Sequence, residues 1–238
     1  MPAPKALHSS FDNRLIAALP REECARLAPH LEAVRLPVGK VLCEAGGAIR
    51  HLYFLKGGMA SLLSVTEDGH SVEVGMIGNE GVVGLPAVLG ISTAPYRVVM
   101  QLPANALRVR AEVLRQEFNR GGRLQKMLMH YMHTLLTQIS QSAACNRYHT
   151  MRARLCRWLL VSRDRAHTDT LQLTQEFLSQ MIGGPRSRVT LIARDLQRAG
   201  LIRYSRGKIT ILDRGGLEAN SCECYRIVRE QMSHFLAA

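Results

Sequence analysis

A chain of 238 residues with 47% hydrophobic and 21% charged content can build one large domain or two modest ones, and its composition excludes a disordered or low-complexity protein. The formal net charge is +12, and residues 147–214 carry 14 Lys/Arg against 5 Asp/Glu. Three quarters of the excess thus sits in less than a third of the chain, which points to nucleic acid or an anionic surface; the alternative is a generally basic solvated surface.

At the N-terminus, MPAPKALHSSFDNRLIAALP has no apolar core of signal-peptide length, and the most apolar run, VVGLPAVLGI, is short and interrupted by Gly84 and Pro86. The expectation is a cytoplasmic protein without a membrane partner. Six cysteines without regular spacing then read as reduced thiols. The runs LEAVRLPVGKVLC, HLYFLKGGMASLLSV, HSVEVGMI and YRVVMQLPANALRVR are rich in aliphatic and aromatic residues and divided by Gly, Pro and Asp-Gly. Many short strands so closely spaced predict an antiparallel barrel or sandwich, with a hairpin turn at Glu67-Asp68-Gly69-His70.

From Gly121 to Cys145 no proline or further internal glycine interrupts the chain beyond the opening Gly-Gly, and a long helix is predicted. Leu124, Leu128, Tyr131, Leu135 and Ser142 fall in heptad-like steps, with Met127, Met132, Leu136 and Ile139 as a second apolar stripe. One stripe packs on the helix's own domain, and the other asks for a symmetry-related helix; we assign the Leu124–Ser142 seam to the dimer. A single buried core helix is the alternative. A second amphipathic pattern follows, with Met151, Leu155, Trp158 and Leu159 at helical spacing, then a polar break over residues 164–169.

Next comes LTQEFLSQMIGGPRSRVTLIARDLQRAGLIRYSRGKITILD. Thr174 is a candidate N-cap for a short helix whose apolar face is Phe177, Leu178, Met181 and Ile182; Gly183 suits its left-handed end and Pro185 the first turn of another. In that second helix Val189, Ile192, Ala193, Leu196 and Ala199 share one face, while Ser187, Thr190, Leu191, Arg194 and Arg198 point away. Arg186 and Arg188 sit at its N-terminus, where the helix end favours anions. A small hairpin with Arg206 and Lys208 at its tip completes a winged helix-turn-helix.

Strand-rich N-terminal half, long helix and winged helix together resemble the Crp/Fnr transcription regulators over nearly the whole chain. The resemblance implies an α+β protein in four parts: a jelly-roll-like antiparallel β-barrel sensor over residues 1–120, a dimerisation helix over 121–145, a winged helix-turn-helix over 146–214 and a helical tail over 215–238. It implies a homodimer bound to an inverted repeat in double-stranded DNA, with RNA polymerase as a further partner. Arg186 matches the family's guanine-contacting arginine; Ser187 stands where many members have a base-reading Glu, and Leu191 where many have Arg, so a different operator is expected. We place Arg186, Ser187, Thr190 and Leu191 at base edges, and Thr174, Arg188, Arg194, Arg198, Arg206 and Lys208 at phosphates.

Members that bind cyclic AMP carry a Gly-Glu pair for the ribose and, about ten residues on, an Arg-Ser pair for the phosphate. Here Leu85 follows Gly84 and Pro95 stands at the arginine position; Arg97 is the nearest cation, with Ser92 and Thr93 on its wrong side. Gly84, Leu85 and Arg97 are the candidate effector positions, and cyclic AMP is not expected to bind in the family's mode; an apolar core or a pocket for an uncharged ligand is expected instead. No cofactor is expected. Cys222 and Cys224, with Cys145 and Cys156 as possible company, are weighed as a metal or redox site and set aside, because residues two apart on a helix point about 200° from each other. His130 and His133 lack an obvious ligand partner and are read as surface or interface residues. No nucleotide loop, nucleophile elbow or HExxH pattern appears, so no catalytic residue is assigned. The reading is therefore a DNA-binding regulator; a sensor whose basic region docks RNA or an acidic protein is the alternative.

Overall fold

The computed structural model describes residues 12–237, so the first eleven residues of the stretch searched for a targeting signal lie outside it. Two short helices, α1 (Arg14–Ala17) and α2 (Arg21–Leu27), precede eight strands: β1 (Glu32–Leu36), β2 (Val41–Cys43), β3 (His51–Leu55), β4 (Met59–Val65), β5 (Ser71–Ile77), β6 (Val82–Val83), β7 (Arg97–Leu102) and β8 (Ala104–Arg110). They pair antiparallel in two sheets of order β1-β8-β3-β6 and β2-β7-β4-β5, the strand order of a jelly roll. Pro103, which cannot donate to a ladder, marks where the chain leaves one sheet for the other. Between the sheets Leu52, Phe54, Leu62, Ile77, Val82, Val83 and Met100 form one core.

Strand β4 is buried on both faces. Ala60 and Leu62 enter the sandwich core, while Met59 and Leu63 join Met76 and Leu102 in a second cluster with Trp158, Leu159, Leu178 and Met181. That is why the sequence there is nearly continuously apolar rather than alternating. The outer face of the β2-β7-β4-β5 sheet is thereby packed on the C-terminal helices.

After α3 (Ala111–Asn119) the long helix α4 runs over Gly122–Tyr148. No side chain of its own caps the start. Instead the Glu23 carboxylate of α2 accepts the Arg123 and Leu124 backbone N–H groups at 2.9 and 2.8 Å, an anion at the positive helix end.

The assignment of α4's faces has to be changed, because neither stripe read from the sequence is the open one: Met127, Met132 and Ile139 of the second stripe also pack on the chain's own core. Leu124, Leu128, Tyr131, Leu135 and Ser142 are all buried within their own chain, Leu128 completely, and a side chain already enclosed has no surface to offer a second copy. The exposed heptad stripe is Met129, His133, Leu136, Ser140 and Ala143, with Met129 54% and Leu136 61% exposed. Periodicity finds the apolar stripes of a helix, but not how much of its circumference its own domain covers.

The chain continues through α5 (Met151–Ala166), β9 (Thr170–Gln172), α6 (Gln175–Ile182), α7 (Arg186–Arg198), β10 (Ile202–Ser205), β11 (Lys208–Ile211), α8 (Arg214–Asn220) and α9 (Cys224–Ala237), with a small sheet of order β10-β11-β9. Buried polar groups join the two halves. Trp158 Nε1 of α5 donates to Glu73 Oε1 of β5 at 2.9 Å, and Gln101 Nε2 and Ser61 Oγ donate to its Oε2. Burial pushes the Glu73 carboxyl up to about 7. Nearby, Arg165 Nε and Glu80 Oε1 form a buried ion pair at 2.9 Å.

Candidate nucleic-acid interface

The α6–α7 break is built as a helix-turn-helix requires. Thr174 Oγ1 accepts the Phe177 N–H at 3.1 Å and starts α6. Gly183 ends it at φ 64°, a left-handed conformation that glycine adopts without steric cost. Pro185 stands at the N-cap of α7 rather than inside its first turn, and its carbonyl accepts the Arg188 and Val189 N–H groups. Val189, Ala193 and Leu196 are buried and Ile192 half-buried; Ala199 lies beyond the last helical residue and is exposed, so it does not extend the apolar face.

The opposite face is open. Arg186, Ser187, Arg188, Leu191, Arg194 and Arg198 are exposed, Leu191 at 56%. Arg186 Nη1 lies 3.7 Å from Glu176 Oε2 and Arg198 Nη1 lies 3.8 Å from Asp195 Oδ1; ion pairs so exposed are weak and readily exchanged for a phosphate or a base. Thr190, predicted at a base edge, has contacts of its own within the fold. It is half-buried, and its hydroxyl faces Gln175 Oε1 and the Arg186 carbonyl, each at 2.9 Å. With its single proton engaged there, Thr190 ties α7 to α6 and can offer a base only a lone pair.

At the wing tip Arg206 and Gly207 have φ of 48° and 73°, the two consecutive left-handed residues of a type I′ hairpin turn. Between the wing and the start of α7 lies a cleft of about 340 Å³ lined by Thr174, Gln175, Arg186, Tyr204, Arg206 and Gly207. Gln175, Tyr204, Ser205 and Gly207, which all line it, were given no DNA contact from the sequence. Tyr204 fixes the wing by donating its hydroxyl to the Leu173 carbonyl at 3.2 Å and its N–H to Gln197 Oε1 at 2.6 Å. Nothing in local spacing marks such a tyrosine, because its partners come from the strand before α6 and from the far end of α7.

The candidate effector residues have different surroundings. Leu85 is packed in the sandwich core with Val82, Val83 and Val88, and Gly84 adopts φ 93° at the start of the helical turn Leu85–Leu89. Arg97 is half-exposed and pairs with Glu44 at 3.2 Å. A different cavity, about 390 Å³, lies at the joint between the halves and is lined by Arg14, Glu80, Asp164, Arg165, Tyr225 and Met232 among others.

The cysteines also require a correction. Cys222 precedes α9 and Cys224 begins it, so they do not share a continuous helix and the 200° separation does not apply. Both lie with Cys145; Cys156 is buried in the other core. His149, at the end of α4, completes a group whose ligand atoms all fall within 4.8 Å of one another. His130 and His133 are exposed on α4.

Fold and site together define a jelly-roll sandwich followed by a winged helix-turn-helix with an exposed basic face. Residues 33–120 match the model of the cyclic nucleotide-binding domain, and residues 153–220 that of the Crp-like helix-turn-helix domain. The global nitrogen regulator of Nostoc sp. is 24% identical over 181 residues, covering 72% of this chain and 81% of that protein. Among solved structures, a transcriptional regulator of the Crp/Fnr family from Eubacterium rectale has a TM-score of 0.66 at 19% identity, covering 87% of this chain and 95% of its own. The c-di-GMP responsive global regulator CLP of Xanthomonas campestris has a TM-score of 0.68 at 16% identity, covering 82% and 100%. The chain belongs to the Crp/Fnr family of DNA-binding transcription regulators.

Proposed function

We propose that the protein acts as a homodimer that reads an inverted repeat, inserting α7 into the major groove. The observation that carries this reading is the exposed face of α7: Arg186, Ser187 and Leu191 lie on one open surface that the fold does not use. Arg186 is suited to a bidentate pair with guanine O6 and N7, and Leu191 to a thymine methyl. Arg188, Arg194, Arg198, Arg206 and Lys208 surround that surface and supply phosphate contacts, with Thr174 at the edge of the cleft.

The exposed stripe of α4, from Met129 through Leu136 to Ala143, is the surface for a second copy. It carries the exposed apolar side chains Met129 and Leu136 and runs continuously over four helical turns. Paired recognition helices would then meet half-sites about 10 base pairs apart, centre to centre, or a multiple of that. The sensor does not hold cyclic AMP in the family's mode, since Leu85 cannot accept a ribose hydrogen bond and Pro95 has no donor for a phosphate. Its effector, if one acts, is chemically different. The protein works in the cytoplasm and engages RNA polymerase; among the described residues, no helix is long and apolar enough to cross a membrane.

Selection of bound sequences from a random DNA pool, followed by sedimentation of the complex, tests the proposal. Recovery of an inverted repeat bound by two chains is expected. Recovery of a single unrepeated half-site, or of no sequence preference, would contradict it.

A further inference from the structure

Three thiols and an imidazole converge where the long helix hands the chain to the DNA-binding unit. Cys145 lies in the last turn of α4 and His149, four residues on, is its C-cap. Cys222 and Cys224 flank the start of α9. All three cysteines are buried. Cys145 Sγ is 3.5 Å from Cys222 Sγ, and Cys224 Sγ is 3.4 Å from His149 Nδ1.

These separations are those of a tetrahedral ion's ligand shell. Metal–sulfur bonds of about 2.3 Å and a metal–nitrogen bond of about 2.0 Å put ligand atoms roughly 3.4–3.8 Å apart along the edges of the tetrahedron. A disulfide needs its sulfurs at about 2.05 Å, so Cys145 and Cys222 would have to close considerably to form one. An iron–sulfur cluster needs its ligands spread around a much larger body than this group encloses.

The surroundings fit the same reading. His149 Nε2 lies 3.2 Å from Glu223 Oε1, the carboxylate–imidazole arrangement that fixes a histidine's tautomer and leaves its other nitrogen to ligate. Gln141 Nε2 donates to Cys224 Sγ at 3.1 Å, a contact that suits a thiolate. The charges of Arg154 and Arg157 act on Cys145, and the Nε atoms of both arginines are buried without a partner. Thiols buried only as small apolar groups would not need an imidazole, a carboxylate and two guanidinium groups around them.

We propose that Cys145, His149, Cys222 and Cys224 bind one zinc ion as a closed structural site. Thiolate and imidazole ligands select zinc over hard cations, and four protein ligands leave no open position for catalysis. On binding, the three thiols release their protons to solvent and the imidazole enters neutral, without redox change. Three thiolates and Zn²⁺ leave one net negative charge, which faces Arg154 and Arg157. The ion clips the end of α4, and with it the hinge at Thr150 that leads into α5, to the C-terminal segment.

The test is metal content and cobalt(II) spectroscopy on the full-length protein, purified reduced. The proposal expects about one zinc per chain and, after exchange, the visible bands of tetrahedral cobalt with thiolate ligands. Cys222→Ser should abolish those bands, Cys43→Ser, in the sandwich, should keep them, and His149→Cys should keep the ion while shifting the bands to an all-thiolate pattern. A wild-type protein that carries no zinc and gives no tetrahedral cobalt spectrum would overturn the proposal. So would unchanged bands in Cys222→Ser, iron with inorganic sulfide in place of zinc, or a Cys145–Cys222 disulfide mapped in the reduced preparation.

Discussion

The sensor sandwich and α7 treat the ligand positions of their family in opposite ways. In the sandwich, Leu85, where the resemblance expects a ribose-binding Glu, disappears into a core with Val82, Val83 and Val88. On α7, Arg186, Ser187, Leu191, Arg194 and Arg198 are exposed and lie outside the core. Burial alone accounts for Leu85, because filling the interior stabilises the fold whatever the domain senses. Packing does not fix the identity of an exposed leucine among arginines, and we propose that contact with DNA does. The contrast teaches where to look for function in such a chain: at positions the fold leaves free.

If the two halves are held as one unit, the joint between them is the place to break it. Arg165→Ala leaves Glu80 buried without its partner and should cost about 3–5 kcal/mol, measured by urea denaturation. Replacing both Arg165 and Glu80 by apolar residues of similar volume should recover most of the loss, and failure to do so would mean the pair does more than neutralise itself. A comparably large contrast is expected along α4. Leu128→Ala removes a fully buried side chain and should cost about 2–5 kcal/mol, whereas Leu136→Ala should change the stability of the single chain by no more than about 0.5 kcal/mol. In sedimentation, Leu136→Glu should give a folded monomer; a dimer that survives this change would move the interface away from the exposed stripe.

The joint should also respond to pH. The Glu73 carboxyl is pushed up to about 7 from an ordinary 4.5 because burial disfavours its charge. Between those values the native protein holds a proton that the unfolded chain has lost. Stability from this group is therefore complete below pH 4.5 and is lost as pH rises through 7, by roughly 3 kcal/mol. The Gln101 Oε1 atom has no partner; turned over, that amide would accept the proton of a neutral Glu73. Glu73→Gln should flatten the slope in urea midpoints measured across this range, and parallel wild-type and variant curves would assign the pH dependence elsewhere.

Much of this was legible in the sequence, for reasons that also define its limits. Short apolar runs between glycines and prolines announced the sandwich strands, and Thr174, Gly183 and Pro185 marked the two helices because capping is a local matter. The open side of α4 was not legible, since both apolar stripes pack largely on the chain's own core and the exposed one, interrupted by His133 and Ser140, has no apolar period to mark it. Strand β9 is three residues long, too short for alternation to show. Thr190 read as a base contact because its partner Gln175 lies on another helix. Cys145 and His149 stand one turn apart, a usable signal by itself, but their approach to Cys222 and Cys224 depends on how α9 returns along α4.

We propose that the open face of α7 reads base sequence while the wing grips backbone. This is tested by measuring the affinities of Arg186→Ala and Lys208→Ala for the selected operator and for a scrambled duplex over a range of salt. Arg186→Ala should lose about 1–3 kcal/mol on the operator, with relaxed preference at one base pair. Lys208→Ala should weaken both duplexes alike and lower the salt slope by about one unit. Equal, sequence-independent losses in the two variants would contradict the account.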